Sequence, residues 1–215
     1  MRNHNKKKGN TVGSRRILTL EQKRVLIGTL LGDATLELNG RFTRLRVDHS
    51  VKQDKYVKWQ YKIFHNLTTG GIKYFSQFDE RRNKRDFRCK FDTMSLPILN
   101  EFRSLFYPNG KKRIPKNICE ILKDPLSLAV WFMDDGYKRN DCNALRISTD
   151  SFTIKEQQLL LSCIEKNFGI IGKLHRKGAN WNIYIPSTNL QANKFCNLVK
   201  PYIISSMRYK ILLTP

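Results

Sequence analysis

The chain has 215 residues, with 40 lysines and arginines against 18 aspartates and glutamates, and a formal net charge of +22. No apolar run approaches the about 20 residues that span a bilayer, which argues against an integral membrane protein. Hydrophobic residues make up 40% of the sequence, enough for a buried core in one domain or two fused halves. So much positive charge favours a polyanionic partner, above all nucleic acid; a ribosomal or membrane-surface protein is a weaker alternative.

A basic arm is predicted for residues 1–18, where no secretory signal is evident. The 5 cysteines are scattered without a CxxC pair, and the 4 histidines are equally dispersed. This spacing predicts reduced thiols in a reducing compartment and disfavours a zinc site.

The first half, residues 19–108, begins with a capping box, Thr19-x-x-Gln22, ahead of an apolar helix that ends in Asp33. Next come an alternating strand at 42–49 and a helix at 54–67, which Gly70-Gly71 ends. Two further strands are predicted at 72–78 and 85–92, joined by a polar turn at 80–84.

A lysine-rich linker at 109–125 leads to a second half, residues 126–215, with the same order of elements. Its apolar helix ends in Asp134-Asp135, and strands are predicted at 144–150, 170–177 and 181–185, with a helix from Thr153 to Phe168 after the first of them. Asn, Phe, Leu and Pro also recur at the same spacing in 100–108 and 193–201. The chain is therefore predicted to be an α+β protein of two duplicated αββαββα halves with pseudo-two-fold symmetry.

The two apolar helices share an unfavourable feature, an aspartate at the carboxyl end. Low-dielectric surroundings disfavour the charge of Asp33 and Asp135, and the negative end of the helix dipole adds to that cost. A divalent cation shared by the two carboxylates would offset both effects. The pair therefore indicates a metal-dependent active site between the halves.

Residues 26–34 and 128–136 resemble the two LAGLIDADG motifs of a single-chain homing endonuclease. The similarity extends through 145–153 and into 200–202. The resemblance implies motif helices packed at the centre and two saddle-shaped antiparallel sheets lying over the DNA major groove. It also implies a monomer that cuts both strands of a long target with Mg²⁺, two or more ions per active site.

Asp33 and Asp135 occupy the metal-ligand positions of the resembled motifs, and the carbonyls of Gly32 and Asp134 are candidate further ligands. Lys112 and Lys210 resemble two family lysines that stabilise charge on the phosphate or position the attacking water. Lys111 competes with Lys112 for the first of these positions.

Gly28 and Gly32 lie on one helix face and should let the other motif helix approach closely. The motif departs from its idealised form at the seventh position, which is Gly32 in one half and Asp134 in the other, and at the third, where Val130 replaces the glycine.

Strand alternation predicts which side chains face the helices and which face DNA. The core side is assigned to Thr43, Leu45 and Val47 in one strand and to Phe87, Cys89 and Phe91 in another. The residues assigned to DNA, by base reading or phosphate contact, are Arg44, Arg46, Asp48, Arg81, Arg82, Arg88, Lys90, Arg146, Ser148, Asp150, His175, Lys177, Asn182 and Tyr184.

Three functions remain compatible with the sequence. The first is a site-specific, intron-encoded DNA endonuclease in a reducing compartment with its own DNA, such as a mitochondrion, a chloroplast or a prokaryotic cytoplasm. The second is a maturase that binds intron RNA on the same scaffold, and the third is a DNA-binding regulator that does not cut. The paired aspartates and lysines argue against the silent regulator, but a maturase could keep them.

Overall fold

A computed structural model describes residues 17–212, so most of the basic arm and the last three residues lie outside the described range. The boundary of the arm shifts slightly, because Leu18 is only 3% exposed and belongs to the core. Within residues 17–212, no helix is both long enough and apolar enough to cross a membrane.

The first half contains three helices and four strands. In chain order they are α1 (Leu20–Leu31), β1 (Thr35–Asn39), β2 (Phe42–Ser50), α2 (Asp54–Phe64), β3 (Lys73–Asp79), β4 (Lys84–Asp92) and α3 (Pro97–Phe106). Short 3₁₀ turns follow β2, α2 and β3.

The second half repeats this order after a short linker helix. Its elements are α4 (Ile118–Ile121) in the linker, then α5 (Pro125–Asp135), β5 (Gly136–Lys138), β6 (Leu145–Ile147), α6 (Ile154–Phe168), β7 (Lys173–Lys177), β8 (Asn180–Ile185) and α7 (Gln191–Val199). The linker is packed rather than loose, because Ile118 and Leu122 are fully buried and the Asn167 amide donates to the Leu122 carbonyl at 2.7 Å.

The two sheets have equivalent topologies. Their strand orders are β1-β2-β4-β3 and β5-β6-β8-β7, and every pairing is antiparallel. The predicted α+β class with two αββαββα halves is therefore confirmed, and α1 and α5 pack against each other at the centre.

Local signals set several of the helix boundaries. Thr19 and Thr153 both form complete capping boxes, as predicted, and Gly169 ends α6 in the left-handed conformation at φ 65°. The strand predicted at 144–150 is shorter than expected, ending at Ile147. The ladder stops there because the Thr149 N–H donates to the side-chain oxygen of Asn182, 2.9 Å away, instead of to a strand carbonyl.

Candidate active site

The crossing of α1 and α5 depends on two glycines. A Cβ atom added at Gly28 would lie 2.4 Å from the Ser127 carbonyl oxygen, and one at Gly32 would lie 2.4 Å from the Asp134 Cβ. Contacts this short are sterically forbidden, so only glycine permits this approach. The close crossing predicted from the glycine spacing is present, and it brings the carboxyl ends of both helices together.

The predicted aspartates lie at the carboxyl ends of both motif helices. Asp33 follows the cap of α1 with a side chain that is 46% exposed, whereas Asp135 is the last residue of α5 and is partly buried. Burial, and then the negative charge of Asp33, raise the pKa of Asp135 to about 7. The two carboxylates therefore share one site and repel each other there.

Two lysines bind backbone carbonyls beside these aspartates, and both reach the carbonyl of the residue just before the aspartate. The Lys112 ammonium donates to the Gly32 carbonyl at 2.6 Å and to the Ala34 carbonyl at 2.8 Å. Lys210 donates to the Met133 carbonyl at 2.5 Å and to the Asp134 carbonyl at 3.3 Å. The structure thus brings together the four residues that the sequence assigned to catalysis.

The structure also distinguishes between the two candidate lysines of the linker. Lys111 is exposed, while Lys112 reaches the backbone around Asp33. Burial lowers the pKa of Lys112 and of Lys210, and the neighbouring aspartates partly offset that effect. The carbonyls of Gly32 and Asp134, assigned as further metal ligands, accept hydrogen bonds from these lysines.

Asp134 has a side-chain position that the sequence did not reveal. Its Oδ2 accepts from the Thr29 hydroxyl at 3.0 Å and from the Asp33 N–H at 3.2 Å. This carboxylate of the second half is therefore bound by two residues of the first half. Burial, and then the charge of Asp33, raise the pKa of Asp134 well above its usual range.

His49 is a residue of the site that sequence reasoning missed. Its Nδ1 lies 3.5 Å from Asp33 Oδ2, and its ring is almost fully buried. Burial lowers the pKa of His49, an effect that the charge of Asp33 opposes. The available signal was strand alternation, which places His49 on the same buried side as Leu45 and Val47.

A divalent metal ion fits this group of residues. Two carboxylates, Asp33 and Asp135, are close enough for one to raise the pKa of the other, so a cation would relieve their repulsion. Oxygen donors of this kind are the ligands that Mg²⁺ prefers. The donor set is therefore compatible with magnesium held by Asp33 and Asp135.

Comparison with known proteins identifies the family. The sequence model of the LAGLIDADG DNA endonuclease family matches residues 23–192. The chain belongs to this family. It is 32% identical over 215 residues to the DNA endonuclease I-ChuI of Chlamydomonas applanata, covering 90% of this chain and 95% of that protein.

Two further similarities are informative. The chain is 30% identical over 212 residues to the cytochrome b mRNA maturase bI2 of Debaryomyces hansenii, covering 95% of this chain and 79% of the maturase. Its fold also matches the homing endonuclease I-WcaI bound to its DNA recognition sequence, with a TM-score of 0.85 and 25% identity over 93% of this chain and 89% of that one.

In this LAGLIDADG protein, the outer face of β2 has the predicted composition. Thr43, Leu45 and Val47 are buried, whereas Arg44, Arg46 and Asp48 are partly exposed on the opposite side. These charged side chains pair with neighbours across the strands. The pairs are Arg44–Glu37 at 2.9 Å, Arg46–Asp92 at 2.7 Å and Arg88–Asp48 at 2.8 Å.

The β3–β4 hairpin agrees with the prediction except at its distal end. Arg88 and Lys90 are partly exposed, and Arg81 and Arg82 lie in the exposed turn. The assignment of Phe87 to the core was wrong, because Phe87 is 59% exposed. Alternation gave the correct side of the strand, but this end of the hairpin extends beyond the packed core.

On the second sheet, fewer of the residues predicted to contact DNA lie on the outer face. Arg146, His175 and Tyr184 are partly exposed, and Arg146 Nη2 donates to His175 Nδ1 at 2.9 Å. Ser148 and Asp150 lie beyond the end of β6, and Lys177 is the last residue of β7. The prediction that Asn182 faces outward was wrong: it is 2% exposed, and its Oδ1 accepts from the Thr149 N–H.

Proposed function

We propose that this chain is a site-specific, intron-encoded homing endonuclease that cleaves both strands of a long DNA target by Mg²⁺-dependent phosphodiester hydrolysis. One observation carries the proposal: each motif helix brings one aspartate to the same crossing, and a lysine, Lys112 from the linker or Lys210 from the second half, binds the backbone beside each. A scaffold that only bound nucleic acid would gain nothing from placing the like charges of Asp33 and Asp135 in one site, where they raise the pKa of Asp135.

Each residue has a distinct role in this proposal. Asp33 and Asp135 hold Mg²⁺, which supplies polarisation of the phosphate oxygens and a lowered pKa for bound water. Lys112 and Lys210 have pKa values lowered by burial, so their Nζ atoms release a proton more readily than an exposed lysine. Each ammonium can also stabilise negative charge on the phosphate.

The two sheets would bind the duplex, with the chain acting as a monomer. Ion pairs such as Arg88–Asp48 hold basic side chains in place, and phosphates can compete with the carboxylates for them. The five cysteines form no disulfide, which suits the reducing, DNA-containing compartment expected for such an enzyme.

The test begins with selection of a cleavable site from a random duplex library by the wild-type protein and Mg²⁺. Asp135→Asn should bind the selected duplex with wild-type affinity but cut it at least about 100-fold more slowly, because it loses a metal ligand. Asp141→Asn is the matched control, since it makes the same change at an exposed aspartate. Wild-type cleavage kinetics for Asp135→Asn would refute the proposal.

A second function is favoured by the similarity to the Debaryomyces hansenii maturase. Splicing of the host intron RNA should be measured with wild-type protein and with Asp135→Asn. A maturase role predicts that both accelerate splicing, since RNA binding does not need the metal ligand. Duplex binding by the wild-type protein with neither cleavage nor splicing would instead identify a regulator.

A further inference from the structure

Glu37 is an acidic residue on the outer face of the first sheet, where the phosphates of a bound duplex would repel it. Strand register pairs it with Arg44 across β1 and β2. Its Oε2 accepts from Arg44 Nε at 3.1 Å and from Arg44 Nη2 at 2.9 Å. Its Oε1 accepts from Arg46 Nη1 at 2.6 Å. One carboxylate therefore holds two guanidiniums on the face that is proposed to bind DNA.

The contact with Glu37 leaves one end of the Arg44 guanidinium free. Nε and Nη2 form the edge that faces the carboxylate, and Nη1 donates to no atom within residues 17–212. Arg46 is more fully occupied, because its Nε also donates to Asp92 Oδ1 at 2.7 Å. Arg44 thus presents the Nη1–Nη2 end of a rigid, planar fork, in an orientation that a second residue fixes.

This arrangement suits the edge of a base better than a phosphate. Guanine offers O6 and N7 as paired acceptors in the major groove, and arginine binds both of them in a bidentate contact. A phosphate at Arg44 would lie beside the Glu37 carboxylate and be repelled by it, whereas the guanine edge carries no net charge. Displacing Glu37 would also break its ion pair with Arg46.

The second sheet has no equivalent arrangement. Continuing the register of β5 and β6 makes Arg139 the counterpart of Glu37 and Ala144 the counterpart of Arg44. The Arg139 N–H donates to the Ala144 carbonyl at 3.0 Å, which agrees with that register, and Ala144 is fully buried. Arg139 Nε donates instead to Asp141 Oδ1 at 2.7 Å. A basic residue and an alanine therefore replace the acid and the arginine of the first half.

We propose that Glu37 is a positioning residue that fixes Arg44 to read one guanine in the half of the duplex bound by the first sheet. The proposal rests on the binding of duplex DNA by the two sheets, as proposed above. The recognised site then requires guanine at one position of one half. The symmetry-related position in the other half has no such requirement, because both residues are replaced there.

Selection of bound duplexes from a random library tests the proposal, in chelator so that no cleavage is needed. The wild-type protein should enrich sites with guanine at the position that Arg44 reads. Glu37→Gln should lower the preference for guanine there by roughly two- to five-fold, the size of an exposed ion pair, and leave the other positions unchanged. Glu101→Gln is the control, since it makes the same change at an exposed glutamate of α3 and should keep every wild-type preference.

Arg44→Lys gives a second, independent test. Lysine keeps the positive charge but loses the fork, so this variant should lose about ten-fold of the discrimination for guanine at the same position. Its salt dependence of binding should stay close to that of the wild type, because the charge is retained. A guanine preference that survives in Arg44→Lys would identify a phosphate contact and overturn the proposal.

The base preference also separates a positioning role for Glu37 from a structural one. A variant that only loosened β1 would weaken binding to all sequences alike, so an unchanged guanine preference in Glu37→Gln, or a loss spread over all positions, would overturn the proposal. Either result would leave the endonuclease proposal intact. If the wild-type protein enriches no site at all, the proposed function fails, and the role of Glu37 fails with it.

Discussion

At the scale of single residues, Asp135 links the electrostatics of the site to folding. Its pKa is about 7 in the folded chain, against an ordinary value of 3.8, and burial is the largest cause. Between these two values the unfolded chain binds fewer protons than the folded chain, so this group makes stability fall as pH rises. Above about pH 7 the folded chain carries the full free-energy cost of ionised Asp135.

We therefore expect Asp135→Asn to stabilise the metal-free protein. Urea unfolding in chelator should show a gain of roughly 1–3 kcal/mol at about pH 8 and a smaller gain at about pH 5. Asp141→Asn is the control, because Arg139 lowers the pKa of Asp141 to about 2 and its charge is favourable. Equal stabilities for wild-type and Asp135→Asn at the higher pH would contradict this explanation.

Sequence reasoning located some residues of the site and missed others for a physical reason. Asp33 and Asp135 could be placed because an acid that ends an apolar helix is costly. His49 could not, because a histidine on a buried strand face is ordinarily a satisfied core residue. Asn182 was wrongly predicted to face outward. Its side-chain oxygen accepts the hydrogen bond from the Thr149 N–H that a strand carbonyl would otherwise accept, and this exchange has no signature in the alternation of the sequence.

At the scale of elements, the α1–α5 crossing has little tolerance for added volume. At Gly28 the obstruction is a backbone oxygen of Ser127, which cannot rotate away as a side chain could. The starts of α1 and α6 follow capping boxes, which explains why they could be predicted from sequence. The exposure of Phe87 at the end of the hairpin could not be predicted, because alternation indicates which side of a strand a residue is on and not how far the core extends beneath that strand.

Gly28→Ala should therefore destabilise the fold by about 3 kcal/mol or more, because overpacking at a backbone contact forces the helices apart. The free energy of unfolding in urea measures the effect. Gly71→Ala is the control, since no atom lies within 4 Å of a Cβ at that position. If Gly28→Ala lowers the free energy of unfolding no more than Gly71→Ala does, the two helices can separate freely.

At the scale of the whole molecule, the +22 charge should dominate affinity for DNA. Log K should fall linearly with log salt, by about 0.9 for each phosphate neutralised. Lys90→Gln, on the proposed DNA face, should reduce that slope by about 0.9, measured by fluorescence anisotropy. Arg24→Gln is the control, because Arg24 pairs with Asp124 at 2.7 Å near the starts of α1 and α5.

A salt response that is flat, or that Arg24→Gln changes as much as Lys90→Gln, would count against the sheets as the DNA surface. The whole-molecule architecture itself was predictable, because duplication leaves the same terminal acids and the same strand order in both halves. The differences between the halves could not be predicted from the sequence, because they depend on tertiary hydrogen bonds such as the one between Thr149 and Asn182.

These differences between the halves affect the sequence symmetry of a duplex bound across both sheets. β2 has 9 residues and its counterpart β6 has 3, and different side chains line the two outer faces. A pair of identical subunits is restricted to palindromes, whereas one polypeptide with unequal arms can address two unrelated half-sites. Substitutions in either arm would then alter one end of the recognised sequence, so new targets could be acquired one end at a time.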